Sequence, residues 1–503
     1  MAESGLTDQG RIITALLDAK CYPHPAKNVK LVETHISWVL LAGRYAYKIK
    51  KAVHPGFLDF TRLEARLYYC NEEIRLNRRT APKIYLDVVP IGGSFDNPVM
   101  GGLPALEYAV RMKRFSSGNT LDRLAERGKL LPFHLDLLAA KIASFHESLP
   151  PAGIDSGYGT GMLEIARASF GELHKFLDDD LSNLEERVEK EYAACADCFP
   201  QRLKQGFVRE CHGDLHLGNI ALVRGDPVPF DCIEFDPKLR WIDVVEEIAF
   251  PVMDLLFREC PGLAYRFLNA YLERTGDYGG MKAFRFHLSC RAVVRAMVDA
   301  MRKKESSCSK HLVLASEILS KRRPFLIITH GLPGSGKTTL SQAALERLGA
   351  IRIRSDVERK RLAGLQPEER SLSGIASGIY SPEASRATYS RLLELAHEVL
   401  SSGFSVIVDA DFPSADERGR FRNLALNLSH PFVIASLEAP RSSLEERILA
   451  RKNDASEADL AVLDALEASS DPLQPGERNR VVQFSCIRDE TAWEKLEQGL
   501  GLK

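Results

Sequence analysis

The sequence predicts two domains: an α+β domain with a β-rich lobe and a helical lobe, followed by an α/β domain with a mainly parallel sheet. First, 503 residues exceed what one ordinary hydrophobic core organises. Second, β-branched and aromatic runs prevail over roughly the first 115 residues, and helical periodicity prevails after them. Third, strand and helix patterns alternate from Pro324 onward, which favours parallel strands. We therefore expect domains at residues 1–320 and 321–503.

Charge and composition indicate a globular protein. Lys and Arg (67) balance Asp and Glu (68), so nothing in the net charge of −1 favours a nucleic-acid or membrane-surface role. The first 20 residues lack a cationic start and an apolar run, and no stretch approaches the roughly 18 apolar residues that span a bilayer. Ten cysteines include one C-x-x-C pair, Cys195 and Cys198, without a second half for a zinc site. We expect a cytoplasmic protein with reduced thiols and no membrane partner.

The elements of the first domain follow from their apolar patterns. Two strand-like runs in "THISWVLLAGRYAYKIKK" flank Ala42-Gly43, which predicts a β-hairpin. Helical spacing predicts a helix within residues 59–79, ended by Ala81-Pro82. "IYLDVVPI" and "ALEYAVRMKRF" predict further strands, and long helical patterns follow Asn119.

The stretch "CHGDLHLGNI" carries the first candidate for chemistry. In-line phosphoryl transfer needs a carboxylate near the acceptor hydroxyl and oxygen ligands for Mg²⁺. A short loop can aim Asp214 and Asn219 into one pocket, with Asp214 orienting or deprotonating the hydroxyl and Asn219 holding the metal. His212 is expected to brace this loop through hydrogen bonds.

A second metal ligand is expected on the following hairpin. In "ALVRGDPVPFDCIEFDP", a strand, a Gly-Asp-Pro turn and a second strand place Asp231 where protein kinases carry the Asp of D-F-G. This resemblance implies that Asp231 bridges the β- and γ-phosphates through Mg²⁺. Farther on, "WIDVVEEIAF" contains Asp243, which we expect to hold the catalytic loop in place.

"HGDLHLGNI" followed by "PFDCIEFDP" resembles the aminoglycoside phosphotransferase/choline kinase family, a branch of the protein-kinase-like fold, over roughly residues 25–300. The resemblance implies a bilobal kinase-like domain in which Lys48 of "YAYKIKK" contacts the α- and β-phosphates, with Lys50 as the alternative. It also implies a carboxylate partner on the next helix, for which we choose Glu73 over Glu72.

The same resemblance assigns "VRMKRFSSG" to the hinge between lobes, where backbone groups from Lys113 to Phe115 would bind adenine. The predicted hairpin before Lys48 departs from the protein-kinase pattern, because it holds Gly43 alone and lacks G-x-G-x-x-G.

The second domain opens with a phosphate-binding pattern. "GLPGSGKT" matches G-x-x-x-x-G-K-[ST] between a buried strand, "FLIITHG", and a helix. Glycines let backbone N–H groups surround phosphate oxygens at a helix N-terminus, the lysine neutralises the β- and γ-phosphates, and the threonine hydroxyl ligates Mg²⁺. The candidate nucleotide-binding residues are Gly331, Gly334, Ser335, Gly336, Lys337, Thr338 and Thr339, with Thr338 also a metal ligand.

Two carboxylates at strand ends complete the prediction for this domain. Asp409 ends the apolar strand of "FSVIVDADF" and is expected to hold Mg²⁺ through water. Asp356 follows the strand in "IRIRSDVERKRL", at a position that resembles the one facing the phosphate acceptor in small P-loop kinases. The resemblance implies that Asp356 takes the proton of an acceptor hydroxyl. The alternative is that it caps the next helix, and both roles are compatible.

Arg447 and Arg451 lie four residues apart on one predicted helix face and can clamp phosphate as a closing lid. The alternative is a solvated face paired with Glu445 and Glu446. The run from Phe325 to about Leu473 resembles the zeta-toxin, polynucleotide-kinase and gluconate-kinase group of small P-loop kinases, an AAA-type ATP-binding domain. The resemblance implies a P-loop NTPase fold.

Together these patterns predict a tandem ATP-dependent phosphotransferase with ATP and Mg²⁺ as cofactors. The first module would phosphorylate a hydroxyl of a small molecule, and the second an unidentified acceptor. In the alternatives, the first module is a non-catalytic sensor, or the P-loop module is a nucleotide-dependent switch or a nucleic-acid 5′-hydroxyl kinase. Nucleic acid is not favoured, because no basic run interleaved with aromatic residues occurs. The resemblance of the first module would suggest an aminoglycoside as the acceptor, but recognition of this cationic antibiotic needs a strongly acidic pocket, and the sequence does not place one.

Overall fold

The computed structural model describes residues 2–54, 59–153, 161–320, 323–367, 369–371, 377–450, 456–457 and 459–502. Its contacts divide the chain into two units. Unit 1 combines Met1–Gly161 with Pro200–Asp254, and unit 2 combines Met162–Phe199 with Leu255–Lys503. The predicted division at residues 320 and 321 therefore remains a prediction of where the second module begins along the sequence.

The elements before residue 150 include an antiparallel sheet, the first two helices of the chain, which pack on it, and two helices that follow it. In chain order they are α1 (Ala2–Ala15), β1 (Lys30–Glu33), β2 (Ser37–Ala42), β3 (Tyr45–Lys50), α2 (Leu63–Asn77), β4 (Tyr85–Gly93), β5 (Pro98–Met100), β6 (Glu107–Lys113), α3 (Leu121–Glu126) and α4 (Pro132–Ser148). All neighbouring strands pair antiparallel, in the order β1-β2-β3-β6-β4-β5. The predicted hairpin and the predicted helix are both present.

The two faces of this sheet have different partners, because side chains alternate along a strand. Tyr47 and Ile49 of β3 belong to a core that includes Ile12 of α1 and Leu16, the residue after it. Residues of α2, with Ile74 among them, pack with β4 and β6 in a second cluster. Lys48 and Lys50 alternate with the first pair along β3, and they contact α2 through Glu73.

The middle of the chain is mainly helical, as the sequence predicts. It contains α5 (Gly161–Leu173), α6 (Ser182–Cys195), α7 (Cys198–Lys204), β7 (Val208–Glu210), β8 (Ile220–Val223), β9 (Asp226–Pro229), β10 (Trp241–Asp243), α8 (Val244–Phe257), α9 (Pro261–Thr275), α10 (Met281–Met301) and α11 (Glu305–Ile318). β7 pairs with β10 and β8 pairs with β9, both antiparallel. The turn between β8 and β9 falls at Arg224-Gly225, one residue before the predicted Gly-Asp-Pro turn.

The last part of the chain alternates strands and helices around a parallel sheet, which confirms the predicted α/β class. Its elements are β11 (Leu326–His330), α12 (Lys337–Leu348), β12 (Ile351–Arg354), α13 (Ser355–Leu362), α14 (Pro382–Ser401), β13 (Val406–Asp409), α15 (Ala415–Asn427), β14 (Phe432–Leu437), α16 (Arg441–Ala450), α17 (Leu460–Ser469), β15 (Val481–Phe484) and α18 (Glu490–Gly499). The strand order is β12-β13-β11-β14-β15, and every neighbouring pair is parallel. The strands that end at Asp409 and before Gly331 are therefore neighbours.

Within the described residues, no helix is both long enough and apolar enough to cross a membrane.

Candidate functional site

A cluster of charged residues in unit 1 joins β3 and α2, and all of its side chains except the half-exposed Asp231 are mostly buried. The Lys48 Nζ atom is 2.9 Å from Glu73 Oε1 and 2.6 Å from Asp231 Oδ1. The Lys50 Nζ atom is 2.7 Å from Glu73 Oε2 and also contacts Glu234. The Lys48 side chain is 13% exposed and the Lys50 side chain is fully buried. Of the two candidate lysines, Lys48 is the one that a ligand can reach.

The cluster is ionised because opposite charges outweigh burial. Burial favours the neutral form of Asp231, but attraction by Lys48 holds the pKa of Asp231 below its ordinary value. The pKa of Glu73 is lowered in the same way by Lys48 and Lys50 against the effect of burial. Burial opposes the charge on Lys48, yet Asp231 and Glu73 raise the pKa of Lys48 well above its ordinary value. A cation is therefore held beside two carboxylates.

The backbone of Asp231 is itself unusual, with φ of 63° in the left-handed region. The Tyr85 hydroxyl accepts a hydrogen bond of 3.0 Å from the Asp231 N–H group, and the Asn77 side chain accepts one of 2.9 Å from Cys232 N–H. These contacts stabilise a conformation that costs on the order of 1 kcal/mol in a non-glycine residue. They direct the Asp231 side chain toward Lys48.

The loop that contains Asp214 and Asn219 is cross-linked by its own side chains. The Asn219 amide donates hydrogen bonds of 2.9 Å to Asp214 Oδ2 and 3.0 Å to the Asp214 carbonyl. The His212 ring forms a 2.9 Å hydrogen bond with the Phe230 carbonyl, next to Asp231 in sequence, which is the bracing role predicted for it. The Asp214 side chain remains 36% exposed, so it is open to a ligand.

The residue that anchors this loop is Glu247, and the prediction for Asp243 is wrong. Glu247 accepts hydrogen bonds from Gly213 N–H at 2.7 Å and His212 N–H at 3.1 Å. Its Oε2 atom is also 2.9 Å from His146 Nε2. Burial alone would raise the pKa of Glu247, but the hydrogen bond with His146 and the backbone donors lower it to about 2.

Asp243 instead forms a buried pair with Arg202, whose Nη2 atom is 2.8 Å from Asp243 Oδ1. The sequence signal for Glu247 is a charged residue on the buried face of α8, four residues after Asp243. Both carboxylates lie in one short acidic run, so the sequence pattern does not separate them.

The predicted hinge is partly committed to the sheet. The Lys113 N–H group donates to the Ile84 carbonyl at 2.8 Å, and the Arg114 N–H group donates to the Arg44 carbonyl at 3.0 Å. These two N–H groups are therefore engaged, contrary to a role for both in adenine binding. The Phe115 ring contacts the Phe230 ring with 4.8 Å between centroids.

A cavity of about 610 Å³ lies in unit 2 at the end of the parallel sheet that carries the glycine-rich loop. Small-molecule sites in proteins commonly have about this size, roughly 300–1,000 Å³. Eight residues singled out in the sequence line it: Gly334, Gly336, Lys337, Thr338, Thr339, Asp356, Asp409 and Arg447. The tertiary structure thus brings together residues from four separate segments.

The glycine-rich loop requires its glycines. Gly331, Gly334 and Gly336 have φ values of 140°, 83° and 104°. A Cβ atom on Gly331 would lie 2.4 Å from the Leu437 carbonyl oxygen. Among the described residues, the buried Ser335 hydroxyl has no hydrogen-bond partner. A curled loop with an unsatisfied hydroxyl fits a phosphate ligand.

The loop lysine is paired with a carboxylate that the sequence analysis missed. Lys337 Nζ donates to the Gly331 and Leu332 carbonyls at 2.8 and 2.9 Å and lies 2.7 Å from Asp411 Oδ1. Asp411 follows Asp409 by two residues at the same strand end, and that spacing was the available signal.

Asp409 is nearly buried, at 5% exposure, and its Oδ2 atom accepts a 2.9 Å hydrogen bond from the Ser341 hydroxyl. It lines the same cavity as Thr338. Hydroxyl and carboxylate oxygens are the ligands that Mg²⁺ prefers, so these two residues fit a magnesium site beside the phosphate loop.

Asp356 lies in the first turn of α13 and lines the cavity. The residue at the helix N-cap is Arg354, and no side-chain capping bond is formed, so the capping alternative for Asp356 is wrong. Burial raises the pKa of Asp356, and repulsion by Asp411 and Asp409 raises it further. A carboxylate with a raised pKa is a better general base than an ordinary one.

Arg447 lies over the glycine-rich loop. Its Nη1 atom donates to the Gly334 carbonyl at 3.1 Å and the Ser335 carbonyl at 3.4 Å. Glu445, proposed as a surface partner in the alternative, pairs with Arg441 at 2.8 Å. The geometry of Arg447 therefore favours the phosphate-clamp interpretation, whereas Arg451 lies outside the described residues.

Two families match this chain. The family described as "Phosphotransferase enzyme family" matches residues 105–284, and the family described as "AAA domain" matches residues 326–473. The first match includes the Asp214 loop and Asp231, and the second includes the glycine-rich loop and Asp409. Both predicted resemblances are confirmed.

Two uncharacterized mycobacterial proteins are similar to nearly the whole chain. Rv2004c of Mycobacterium tuberculosis and Mb2027c of Mycobacterium bovis are each 31% identical over 483 residues, covering 92% of this chain and 94% of each relative. Among solved structures, the GDP complex of aminoglycoside 2′-phosphotransferase-IIIa is 15% identical with a TM-score of 0.40, covering 62% of this chain and 98% of that one. A sugar kinase from Janibacter is 17% identical with a TM-score of 0.27, covering 35% and 93%.

Proposed function

The chain belongs to the same family as its two mycobacterial relatives, and from that premise we propose that it is a tandem phosphotransferase with one active site in each module. The two family matches assign kinase-type phosphoryl transfer to the chain, which is an ATP-dependent kinase. The proposal adds that both modules use ATP with Mg²⁺, and that the first acts on a hydroxyl of a small molecule.

In the first module, the contact of Lys48 with Glu73 and Asp231 carries the proposal. Glu73 holds the lysine, which neutralises the α- and β-phosphates of ATP. Asp231 and Asn219 would hold Mg²⁺, which when bound neutralises charge that develops on the transferred phosphoryl group. Asp214, at 36% exposure, orients the acceptor hydroxyl and takes its proton.

In the second module, the shared lining of the 610 Å³ cavity carries the proposal. Lys337 and Arg447 both contact the glycine-rich loop, where the β- and γ-phosphates would bind. Thr338 and Asp409 would hold Mg²⁺, which supplies the same charge neutralisation as in the first module. Asp356, with its raised pKa, accepts the proton of the acceptor hydroxyl.

Calorimetry on the full-length chain tests the tandem proposal. With Mg²⁺ and a non-hydrolysable ATP analogue, we expect two bound nucleotides per chain. Lys337→Ala should remove the nucleotide of the second module. Asp231→Asn should weaken binding in the first module and leave binding in the second module unchanged. A single bound nucleotide that disappears in Lys337→Ala would leave the first module as a sensor and overturn the proposal.

The acceptor of the first module is tested separately. A chain carrying Lys337→Ala is incubated with Mg-ATP and a panel of hydroxylated amines and sugars, and phosphorylated products are detected by mass spectrometry. Products that vanish when Asp214→Asn is added support the proposed base. The exposed Asp226→Asn, which removes a surface pair with Lys141, is the matched control.

A further inference from the structure

An edge strand of the parallel sheet is completed by side chains of α9 and of the turn after it. β12 ends the strand order of the described sheet and pairs with β13 on one side. On the other side, the Asn269 amide donates to the Ala350 carbonyl at 3.0 Å and accepts from the Arg352 N–H group at 2.6 Å. The Tyr278 hydroxyl donates to the Arg352 carbonyl at 3.2 Å. These side chains satisfy backbone groups that a further strand would otherwise bind.

One helical turn beyond Asn269, Glu273 pairs with the side chains of the same strand. Its Oε1 atom is 2.7 Å from Arg352 Nε, and its Oε2 atom is 3.8 Å from Arg354 Nη1. The Glu273 carbonyl accepts a 2.5 Å hydrogen bond from Arg361 of α13. The Glu273 side chain is only 15% exposed, so its position is fixed on several sides.

The two arginines connect Glu273 to the metal-binding end of the cavity. Arg352 Nη1 is 3.4 Å from Ser341 Oγ, and that hydroxyl donates to Asp409 at 2.9 Å. Arg354 lines the cavity, and its Nε atom is 3.9 Å from Asp409 Oδ2. Glu273 is thus connected to Asp409 in two ways, through Arg352 and Ser341 and through Arg354.

The charges of Arg352 and Arg354 indicate the role of Glu273. Two guanidinium groups near Asp409 repel a divalent cation and compete with it for the carboxylate. Glu273 offsets one of these charges and draws both arginines toward α9. Without that carboxylate, Arg354 loses one ion-pair partner, and its 3.9 Å ion pair with Asp409 can shorten.

We propose that Glu273 is a positioning residue of the P-loop site, which keeps Arg352 and Arg354 from competing with Mg²⁺ for Asp409. This inference rests on the proposed metal role of Asp409 in the second module. Glu273 lies within residues 105–284, the segment matched by the phosphotransferase family. A residue from that segment therefore sets the metal affinity of the P-loop site.

The test measures Mn²⁺ binding by electron paramagnetic resonance with a non-hydrolysable ATP analogue present. The full-length chain carries Asp231→Asn, which silences the first metal site. Glu273→Gln should weaken Mn²⁺ binding about tenfold, the effect of a single uncompensated charge at short range. The affinity of the analogue in EDTA should change less than about twofold, because the phosphate-binding loop is untouched.

Glu346→Gln is the matched control. Glu346 forms a 2.7 Å pair with Arg266, and this pair also joins α9 to α12. It should leave Mn²⁺ affinity within about twofold of the parent chain, since the partly exposed pair with Arg266 is lost and the Glu273 contacts are kept. An equal loss in Glu273→Gln and Glu346→Gln would show a general packing effect and overturn the inference.

A second substitution checks the mechanism. In Glu273→Gln/Arg354→Gln the competing guanidinium is gone, so Mn²⁺ affinity should recover to within about threefold of the parent. Failure to recover overturns the inference. Should Glu273→Gln not fold, Arg354→Gln alone must tighten Mn²⁺ binding, and no tightening is a negative result. Absence of any Mn²⁺ binding that depends on Lys337 in the parent overturns the proposed function, and the inference with it.

Discussion

Lys48 and Asp231 are 183 positions apart in the sequence, and their Nζ and Oδ1 atoms lie 2.6 Å apart in the structure. The contact joins a strand of the β-rich lobe to the hairpin that follows the Asp214 loop. It also means that the residue proposed for the phosphates neutralises the residue proposed for the metal. When a nucleotide binds with its metal, the Lys48–Asp231 ion pair must give way to contacts of Lys48 with the phosphates and of Asp231 with the metal.

We expect Lys48 and Lys50 to differ in what they support. Lys48→Met should reduce the nucleotide affinity of the first module by about tenfold or more, since a phosphate contact is lost. Lys50→Met should instead lower the free energy of unfolding by roughly 3–5 kcal/mol, because it leaves Glu73 and Glu234 without their fully buried partner.

Nucleotide titrations in a Lys337→Ala background and urea unfolding curves separate the two effects. Lys141→Met, which removes a partly exposed contact with Asp226, is the control and should change neither quantity appreciably. Similar affinity losses for Lys48→Met and Lys50→Met would contradict the assignment based on exposure.

Glu247 should contribute to stability in a way that depends on pH. The pKa of Glu247 is lowered to about 2 from an ordinary value of 4.5, so its ionised form is stabilised by folding. The contribution is present above about pH 4.5 and is lost as the pH falls toward 2, on the order of 3 kcal/mol in total. Unfolding free energies of the parent and Glu247→Gln should therefore converge as the pH is lowered from 6 to about 3.

The same substitution should impair phosphoryl transfer by the first module while Asp243→Asn spares its loop. Glu247→Gln replaces a carboxylate that accepts from both His212 and Gly213 N–H groups, so we expect a fall in kcat of about tenfold or more. Asp243→Asn breaks the pair with Arg202 and should act mainly on stability. Measuring both kcat and the free energy of unfolding for each variant distinguishes them, because Glu247→Gln should lower kcat and Asp243→Asn should mainly lower the free energy of unfolding.

Asp356→Asn should leave nucleotide binding by the second module intact and slow transfer to its acceptor. Loss of a general base typically costs about 10²- to 10⁴-fold in rate. The neighbouring Glu383→Gln, on an exposed side chain of α14, is the control and should be silent. Quench-flow measurement of product with saturating nucleotide reads the chemical step, and an unchanged rate would remove Asp356 from the mechanism.

Arg447→Ala should weaken nucleotide binding at the P-loop by about tenfold, since a guanidinium on the loop is lost. Arg441→Ala, on the same helix but paired with Glu445 and Asp464 at the surface, should change it less than about twofold. Fluorescent nucleotide titrations in an Asp231→Asn background give both values. Equal effects would return Arg447 to the solvated-face interpretation.

Asn269→Leu should destabilise unit 2, because it leaves the Arg352 N–H and Ala350 carbonyl groups of the edge strand buried without partners. Each such group costs about 1–3 kcal/mol. Asn71→Leu, which removes a bond to its own exposed helix, should cost far less. Hydrogen exchange of the β12 amides in both variants, followed by mass spectrometry, locates the change.

Much of the candidate site was predicted because its residues lie in short, continuous motifs. The glycine-rich loop, the Asp214–Asn219 loop and the strand-end Asp409 depend on spacings of a few residues, which a sequence displays directly. Partners from distant segments were less accessible. Glu73 and Glu72 are adjacent, and only the packing of α2 on the sheet turns Glu73 toward both lysines while Glu72 pairs with Arg75.

The misses share that cause. Glu247 and Asp243 stand in one acidic run, and the docking of α8 alone selects Glu247 for the loop. Asp411 was overlooked beside Asp409, although its carboxylate meets the loop lysine.

By itself, the sequence determined two phosphate-handling modules, their order and most of their local motifs, because backbone turns and strand ends obey short-range steric rules. Tertiary structure alone decided which carboxylate meets which cation and that α9 completes the edge of the parallel sheet. Those choices depend on how helices pack across long chain separations, which periodicity narrows to a face but not to an atom.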